Sequence, residues 1–168
     1  MKTIKNIFLI VCAMFMMQSC IVSSGKGNMA YFSDSGNDFK GARFTSINVP
    51  MFLAKPVIKK ALREDGKDNE EIIQMIKKVS KIKVLTVENG DRTMLKDFAN
   101  YLNDNNYEEW ATIKHDGDNV NIRVKQKGDA IKNMLITVNS DKDLVFVDVR
   151  GNFTANDISK MIASATDK

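Results

Sequence analysis

The chain has 168 residues, with 25 Lys and Arg, 21 Asp and Glu, two cysteines and one histidine. This composition excludes histidine-pair metal sites and cysteine clusters within one chain, and a serine-type catalytic triad would have to use His115. Lys2 and Lys5 carry two units of the net charge of +4, so the remainder of the chain gives little reason to expect a nucleic-acid partner.

The first twenty residues are typical of an exported lipoprotein. After two lysines, residues 7–17 form an apolar run of signal-peptide length, which is too short for a membrane span of roughly 20 residues. The sequence Met17-Gln18-Ser19-Cys20 then resembles a bacterial lipobox. We therefore predict a signal peptide at residues 1–19 and acylation of Cys20, with palmitate among its acyl chains.

The alternative is ordinary signal-peptide cleavage that leaves Cys20 as a free thiol. An exposed unpaired cysteine is a liability in an oxidising compartment, so the anchor is favoured. The partner of the N-terminus is then a lipid bilayer, and the location is periplasmic, with the outer membrane favoured over the inner. The first acidic residue after the cysteine is Asp34, so an acidic surface-export signal is absent.

Residues 20–45 are rich in Ser, Gly and Asn, and we predict a lipidated tether there, followed by a single domain at 46–168. Order is expected to begin near Ile47, and the later half of the tether could pack onto the domain. Apolar spacing after Pro50 predicts a helix that Pro56 kinks or divides.

Further helices, each preceded by a capping residue, are predicted after Asp68, Asp91 and Thr154. Five predicted strands carry β-branched or alternating residues, and Asp116-Gly117 is typical of a hairpin turn. They lie at residues 82–87, 110–115, 120–124, 134–138 and 144–149. This order predicts an α+β fold, with a mainly antiparallel sheet of about five strands and helices packed on one face in two layers.

Two groups of side chains are candidates for partner binding. Arg123 and Lys125 alternate on one strand and would suit an anionic glycan or lipid, although a solvated strand face is the plainer interpretation. Leu144 and Phe146 point to the supposedly wet face of the last strand, as Trp110 could on its own strand. Either the N-terminal aromatic residues cover them, or they form an exposed patch for an envelope protein.

Several segments resemble an uncharacterised domain-of-unknown-function family, which is common among secreted proteins and lipoproteins of Bacteroidetes-type bacteria. The resemblance covers roughly residues 40–165 and implies the fold and an envelope location, but no catalytic residue. The segments are Lys83–Asn89, Tyr107-Glu108-Glu109, Asp116-Gly117, Lys127-Gly128, Val147–Asn152 and Asp157-Ile158.

The remaining motifs favour no enzyme class. Each cluster of Asp residues falls at a turn or cap, where Asp is already favoured, so we expect no metal and no cofactor. We predict a non-enzymatic, membrane-anchored binding module of the cell envelope. The alternative is an envelope enzyme that acts on a glycan through Glu108 and Glu109, although adjacent strand residues point to opposite faces.

Overall fold

The computed structural model describes residues 22–25, 27–33, 39, 41–64, 70–90, 92–115, 117–140 and 143–166. The strands are β1 (Val22–Ser24), β2 (Arg43–Val49), β3 (Val79–Glu88), β4 (Glu108–His115), β5 (Asp118–Lys127), β6 (Ala130–Asn139) and β7 (Asp143–Phe153). The helices are α1 (Ala30–Ser33), α2 (Met51–Glu64), α3 (Glu70–Lys78), α4 (Arg92–Asp104) and α5 (Ala155–Thr166).

Some predictions lie outside the described residues. These are the signal peptide, Cys20, the caps at Asp68 and Asp91, and the turn residue Asp116. None of the described helices is long and apolar enough to cross a membrane.

The strands form one antiparallel sheet in the order β1-β2-β3-β7-β6-β5-β4. The α+β class is confirmed. Strands β3 to β7 correspond to the five predicted strands, and Gly117 has the positive φ of 91° that suits the predicted hairpin turn. Within the described residues the sheet has seven strands instead of about five, because β2 and the three-residue edge strand β1 extend it.

The alternation of side chains along β7 decides where the helices pack. Leu144 and Phe146 lie on one face, here called the α4 face, and Val147 and Val149 lie on the other, the α5 face. Helices α1 and α4 pack on the α4 face, while α2, α3 and α5 pack on the α5 face. The predicted two-layer arrangement is therefore corrected to three layers, because β7 carries large apolar side chains on both faces and each face needs a cover.

Phe146 is the centre of the core on the α4 face and has no exposed surface. Its ring lies 4.9 Å from that of Phe98 on α4 and 4.9 Å from that of Phe32 on α1. Phe32 also contacts Phe44 on β2, with ring centroids 5.9 Å apart. Of the two alternatives for Leu144 and Phe146, the structure shows the intramolecular cover.

The segment of residues 27–33, here called the strap, carries this cover. The side-chain amide of Asn28 donates to the main-chain carbonyls of Ile47 at 3.2 Å and Val84 at 3.3 Å. The Lys83 ammonium donates in turn to the carbonyl of Asn28. These bonds fix the strap across β2 and β3, so packing onto the sheet begins well before the predicted start of order near Ile47.

Helix α2 runs without a break through Pro56, where a kink or division was predicted. Pro50 begins the helix, since its carbonyl accepts from the amides of Leu53 and Ala54. A proline at position 56 removes one backbone hydrogen bond, the one to the carbonyl of Phe52, and its ring is exposed. The buried side chain of Met51 holds the helix on the α5 face.

Phe32→Ala tests whether the strap is part of the core. Loss of a buried phenylalanine should lower the free energy of unfolding by about 3–5 kcal/mol. Phe52→Ala, at a site that is 78% exposed, is the matched control and should change it by no more than about 0.5 kcal/mol. Urea denaturation followed by the fluorescence of Trp110, the single tryptophan, measures both. Equal stabilities for the two variants would mean that the strap is not packed on the domain.

Candidate functional site

The α4 face has an apolar half and a polar half. One row of paired residues crosses β3, β7, β6 and β5 as Leu85, Phe146, Thr137 and Asn121. Helix α4 and the strap cover the apolar end of this row, and the polar end continues beyond them. Along this row the sheet therefore changes from core to surface between β7 and β6, although Leu135, on the neighbouring row of β6, is still part of the core.

The polar half forms a groove beside α4 with a volume of about 230 Å³, here called the amide groove. Its floor carries amides, a hydroxyl and a guanidinium, and its wall is the apolar side of α4. The floor residues are Asn119, Asn121, Arg123, Thr137 and Asn139, and the wall residues are Leu95, Phe98, Ala99 and Leu102. Such a combination suits a ligand that has both apolar faces and hydrogen-bonding edges.

Arg123 fixes one end of the amide groove. Its guanidinium donates to Glu109 at 3.1 Å, to Asn121 at 3.1 Å and to Asn103 on α4 at 2.5 Å. The ring of hydrogen bonds closes through Thr112, which accepts from Asn121 and donates to Glu109. Glu109 lies on β4, Asn121 on β5 and Asn103 on α4. Arg123 therefore connects helix α4 to the edge of the sheet.

This ring perturbs the carboxyl group of Glu109. Hydrogen bonds from Asn121 and Thr112, together with the Arg123 guanidinium, hold the pKa of Glu109 below its usual value. The Glu109 side chain is 49% exposed, so the associated gain in stability is small.

A second polar cluster surrounds the buried carboxylate of Asp148. The Asp148 carboxylate accepts hydrogen bonds from Arg150 at 3.3 Å and from Asn133 at 3.3 Å. Lys83 is the cross-strand neighbour of Asp148 on β3. Burial lowers the pKa of Lys83, and nearby Lys81 and Arg150 act in the same direction. The cluster is thus richer in cations than in anions.

Lys125 lies beside this cluster and completes a basic row. The Lys125 ammonium sits 5.5 Å from the centroid of the Tyr107 ring, at a cation–π distance. Burial, and next the charge of Asp148, raise the pKa of Tyr107. Residues Lys81, Arg150, Asn133 and Lys125 pair in succession across β3, β7, β6 and β5, next to the amide groove.

The candidate partner-binding residues do not form one surface. Trp110 packs in the core of the α5 face, while Leu144 and Phe146 are buried under α4 and the strap. Arg123 and Lys125 do lie together on the polar half of the α4 face. A partner could therefore reach this pair, but not the two buried residues while the cover is in place.

The sequence prediction missed the amides that accompany Arg123. Asn119, Asn121, Thr137 and Asn139 occupy the wet positions of two adjacent strands, where polar residues are expected anyway. Their signal was the repetition of amide and hydroxyl groups, with few charges, at alternate positions. The pairing register of the strands and the position of α4 decide which of these residues share a groove. The sequence of a single strand gives neither the register nor the position of the helix.

The two acidic residues of the enzyme alternative, Glu108 and Glu109, do not converge. Glu108 pairs with Val124, whose side chain is in the α5-face core, whereas Glu109 joins Arg123 on the α4 face. The described residues that line the amide groove include no carboxylate. Within the described part of the chain, no three His, Cys, Asp or Glu side chains are grouped as a metal site would need.

A smaller cleft of about 150 Å³ lies between α3 and α5 on the opposite side of the sheet. Asp157 closes one side of it, because its carboxylate accepts from Lys78 on α3 and from Thr154 at the start of α5. Burial alone raises the pKa of Asp157, but these hydrogen bonds outweigh it and lower the pKa. The Asp157 carboxylate therefore caps α5 and links it to α3. Because this carboxylate already has structural partners, the amide groove is the better candidate for a ligand site.

A family model described as a domain of unknown function, DUF4252, matches residues 37–161. The chain belongs to this family, which confirms the predicted resemblance over nearly the expected range. The secreted and lipoprotein character that the resemblance implied stays a prediction. No curated protein and no solved structure is significantly similar to the chain.

Asn121→Ala should raise the pKa of Glu109 towards its ordinary value, because it removes the first of the hydrogen-bonding groups that lower it. A depressed carboxyl pKa stabilises the fold above the unfolded-state pKa of about 4.3, and this contribution is lost as the pH falls through the folded-state pKa. Carboxyl NMR titration of the parent and the variant measures the shift. Asn100→Ala, on the exposed side of α4, is the control and should leave the pKa of Glu109 unchanged. If the pKa of Glu109 were also unchanged in Asn121→Ala, this result would contradict the ring of hydrogen bonds.

Proposed function

We propose that this DUF4252 domain is a non-enzymatic binding module, anchored by lipid in the periplasm, and that its amide groove holds an anionic glycan. The observation that carries the proposal is the convergence of three asparagines, a threonine and an arginine on the floor of one groove, next to a basic row. The anchor and the ligand are separate parts of the proposal, and each has its own test.

The anchor rests on the sequence before the domain. The apolar run and the sequence Met17-Gln18-Ser19-Cys20 are typical of a lipoprotein signal. Strand β1 begins at Val22, so only Ile21 separates Cys20 from the sheet, and the two residue steps span at most about 7 Å. An acylated Cys20 therefore keeps the domain at the bilayer surface, without a long tether.

The ligand class follows from the groups on the groove floor. Carboxamides both donate and accept hydrogen bonds, as sugar hydroxyls do, and the half-buried Leu95 and Ala99 offer an apolar wall for the carbon face of a sugar ring. Lys125 and Arg150 lie in the adjoining row, and a carboxylate on the glycan would complement their charge.

Binding is favoured over catalysis by the geometry of the acids. Glu108 and Glu109 lie on opposite faces of β4, so they cannot flank one glycosidic bond as paired carboxylates must. Glu109 is also engaged with Arg123 and Thr112. The carboxylate is thus held in a structural ring at the edge of the groove.

Cys20→Ser should move the protein from carbonate-washed membranes to the soluble periplasmic fraction. Each buried methylene of an acyl chain contributes roughly 0.8 kcal/mol, so loss of more than one chain removes nearly all of the anchoring free energy. Cys12→Ala, within the predicted signal peptide, is the control and should stay with the membranes. A Cys20→Ser protein that remains in washed membranes, or a parent that takes up no labelled palmitate, would refute the anchor.

The glycan proposal is tested by titrating the protein with oligogalacturonate, using neutral galacto-oligosaccharides as the reference. The side-chain amide NMR signals of Asn119, Asn121 and Asn139 should shift with the acidic glycan. Asn121→Ala combined with Asn139→Ala should weaken binding about tenfold or more, since each lost hydrogen bond contributes about 0.5–1.5 kcal/mol.

Lys125→Gln should reduce the preference for the acidic glycan, and Asn156→Ala, on α5, should have no effect on binding. Shifts confined to the α5 side of the sheet, or no binding of either glycan, would contradict the ligand assignment while leaving the anchor untouched.

A further inference from the structure

Helix α2 carries an apolar surface that the described part of the chain does not cover. Phe52 is 78% exposed, Leu53 is 55% exposed and Val57 is 68% exposed. Within the described part of the chain these are the exposed large hydrophobic side chains, and all three lie on the first two turns of one helix. Pro56 is exposed between them, and the four residues are here called the α2 patch.

The α2 patch is a single stripe along the helix and does not belong to the packed side. Residues advance by about 100° around a helix axis, which places the patch residues within about 140° of each other. The side packed on the sheet contains the buried Met51 and lies on the opposite side of the axis, where the half-buried Ile58 also falls. The first half of α2 is therefore apolar on both sides, and among the described residues only one of these sides has a packing partner.

Basic residues border the α2 patch. Lys59 lies beside it around the helix, and Lys60 and Arg63 continue its stripe into the last turns, where both are exposed. Glu64 is the one acidic residue of this helix, and it lies 3.8 Å from the Lys60 ammonium. An apolar stripe with a lysine and arginine border is the surface of helices that lie in the interface of an anionic membrane.

The α2 patch also lies at the end of the sheet where the N-terminal chain enters. Val22 pairs with Ile47, and β2 ends two residues later at Val49, just before α2 begins at Met51. Cys20 precedes Val22 by two residues. The predicted acyl anchor and the first turn of α2 therefore belong to the same end of the β1–β2 pair.

We propose that the α2 patch inserts into the anionic bilayer that holds the anchor, so that the domain has a fixed orientation on the membrane. The inference rests on the proposed lipid anchor for its location, and on the exposed side chains and their basic border for its chemistry. A second copy of the chain or a protein partner would not require the basic border or the position beside the chain entry.

The test uses the membrane-extracted protein reconstituted into vesicles of phosphatidylethanolamine and phosphatidylglycerol. With Cys20 acylated and Cys12 removed with the signal peptide, a cysteine introduced by Val57→Cys is the one available thiol and takes an environment-sensitive NBD dye. Two exposed controls take the same label: Lys96→Cys on α4, across the sheet, and Ser159→Cys on α5.

At position 57 the dye emission should shift to shorter wavelength. It should also be quenched several-fold more than at the control sites by a lipid nitroxide near the top of the acyl chains, because interfacial helices bury about 5–10 Å into this region. At positions 96 and 159 the emission should match that of dye in water. Water-like emission at position 57 would overturn the proposal. A shift without nitroxide quenching would also overturn it, since it would assign the patch to a protein contact.

Failure of the anchor is recognised separately. Dye uptake by the parent protein, with no introduced cysteine, would show a free Cys20 and refute the anchor. The α2 patch is then tested alone, by titrating vesicles into Val57→Cys in the Cys20→Ser background. A blue shift that is lost when phosphatidylcholine replaces phosphatidylglycerol would support the insertion, and no shift with either vesicle would overturn it.

Discussion

The contact of Phe146 with Phe98 and Phe32 determines the surface of this protein. A ring without exposed area on β7 needs a cover, and it receives one from α4 on one side and from the strap on the other. With α4 held there, the helix covers Leu135 of β6 but lies beside Thr137 of that strand and Asn121 of β5. The polar ends of the same rows remain open beside it, and this open remainder is the amide groove.

The strands after residue 79 could be predicted because each carries its own signal. Val120, Ile122 and Val124 alternate with polar residues over a length that a strand needs, and a Gly at position 117 marks the turn that precedes them. The apolar pair Leu144 and Phe146 even gave a local sign that the second face of the sheet is covered. A local pattern was sufficient there, since the period of two is fixed by the backbone alone.

The strap, the edge strand β1 and its neighbour β2 could not be predicted in this way. Ser23, Ser24 and Gly25 have the composition of a linker, and their place in the sheet comes from pairing with β2. Asn28 is held by carbonyls on two strands, one of which lies 56 residues away in sequence. The groove was out of reach for the same reason, because Asn121 and Thr137 become neighbours only through register. The family match begins at residue 37, so the strap lies outside it although Phe32 is part of the core.

If the domain is anchored as proposed, the anchor fixes which parts of the domain face the membrane. The α2 patch and one half of the α4 face then lie towards the bilayer, and the other half of the α4 face lies away from it. The chain enters at Val22, opposite Ile47, and in the same register Asn48 pairs with Lys83 and then Lys83 with Asp148. The basic row therefore lies towards the end of the sheet that carries α2 and the anchor. Asn119 and Asn139 lie at the other end of the α4 face, next to Leu144. Insertion of the α2 patch would thus bring cations towards lipid phosphates and leave the amide end of the groove facing the periplasm, which is where a glycan would have to enter.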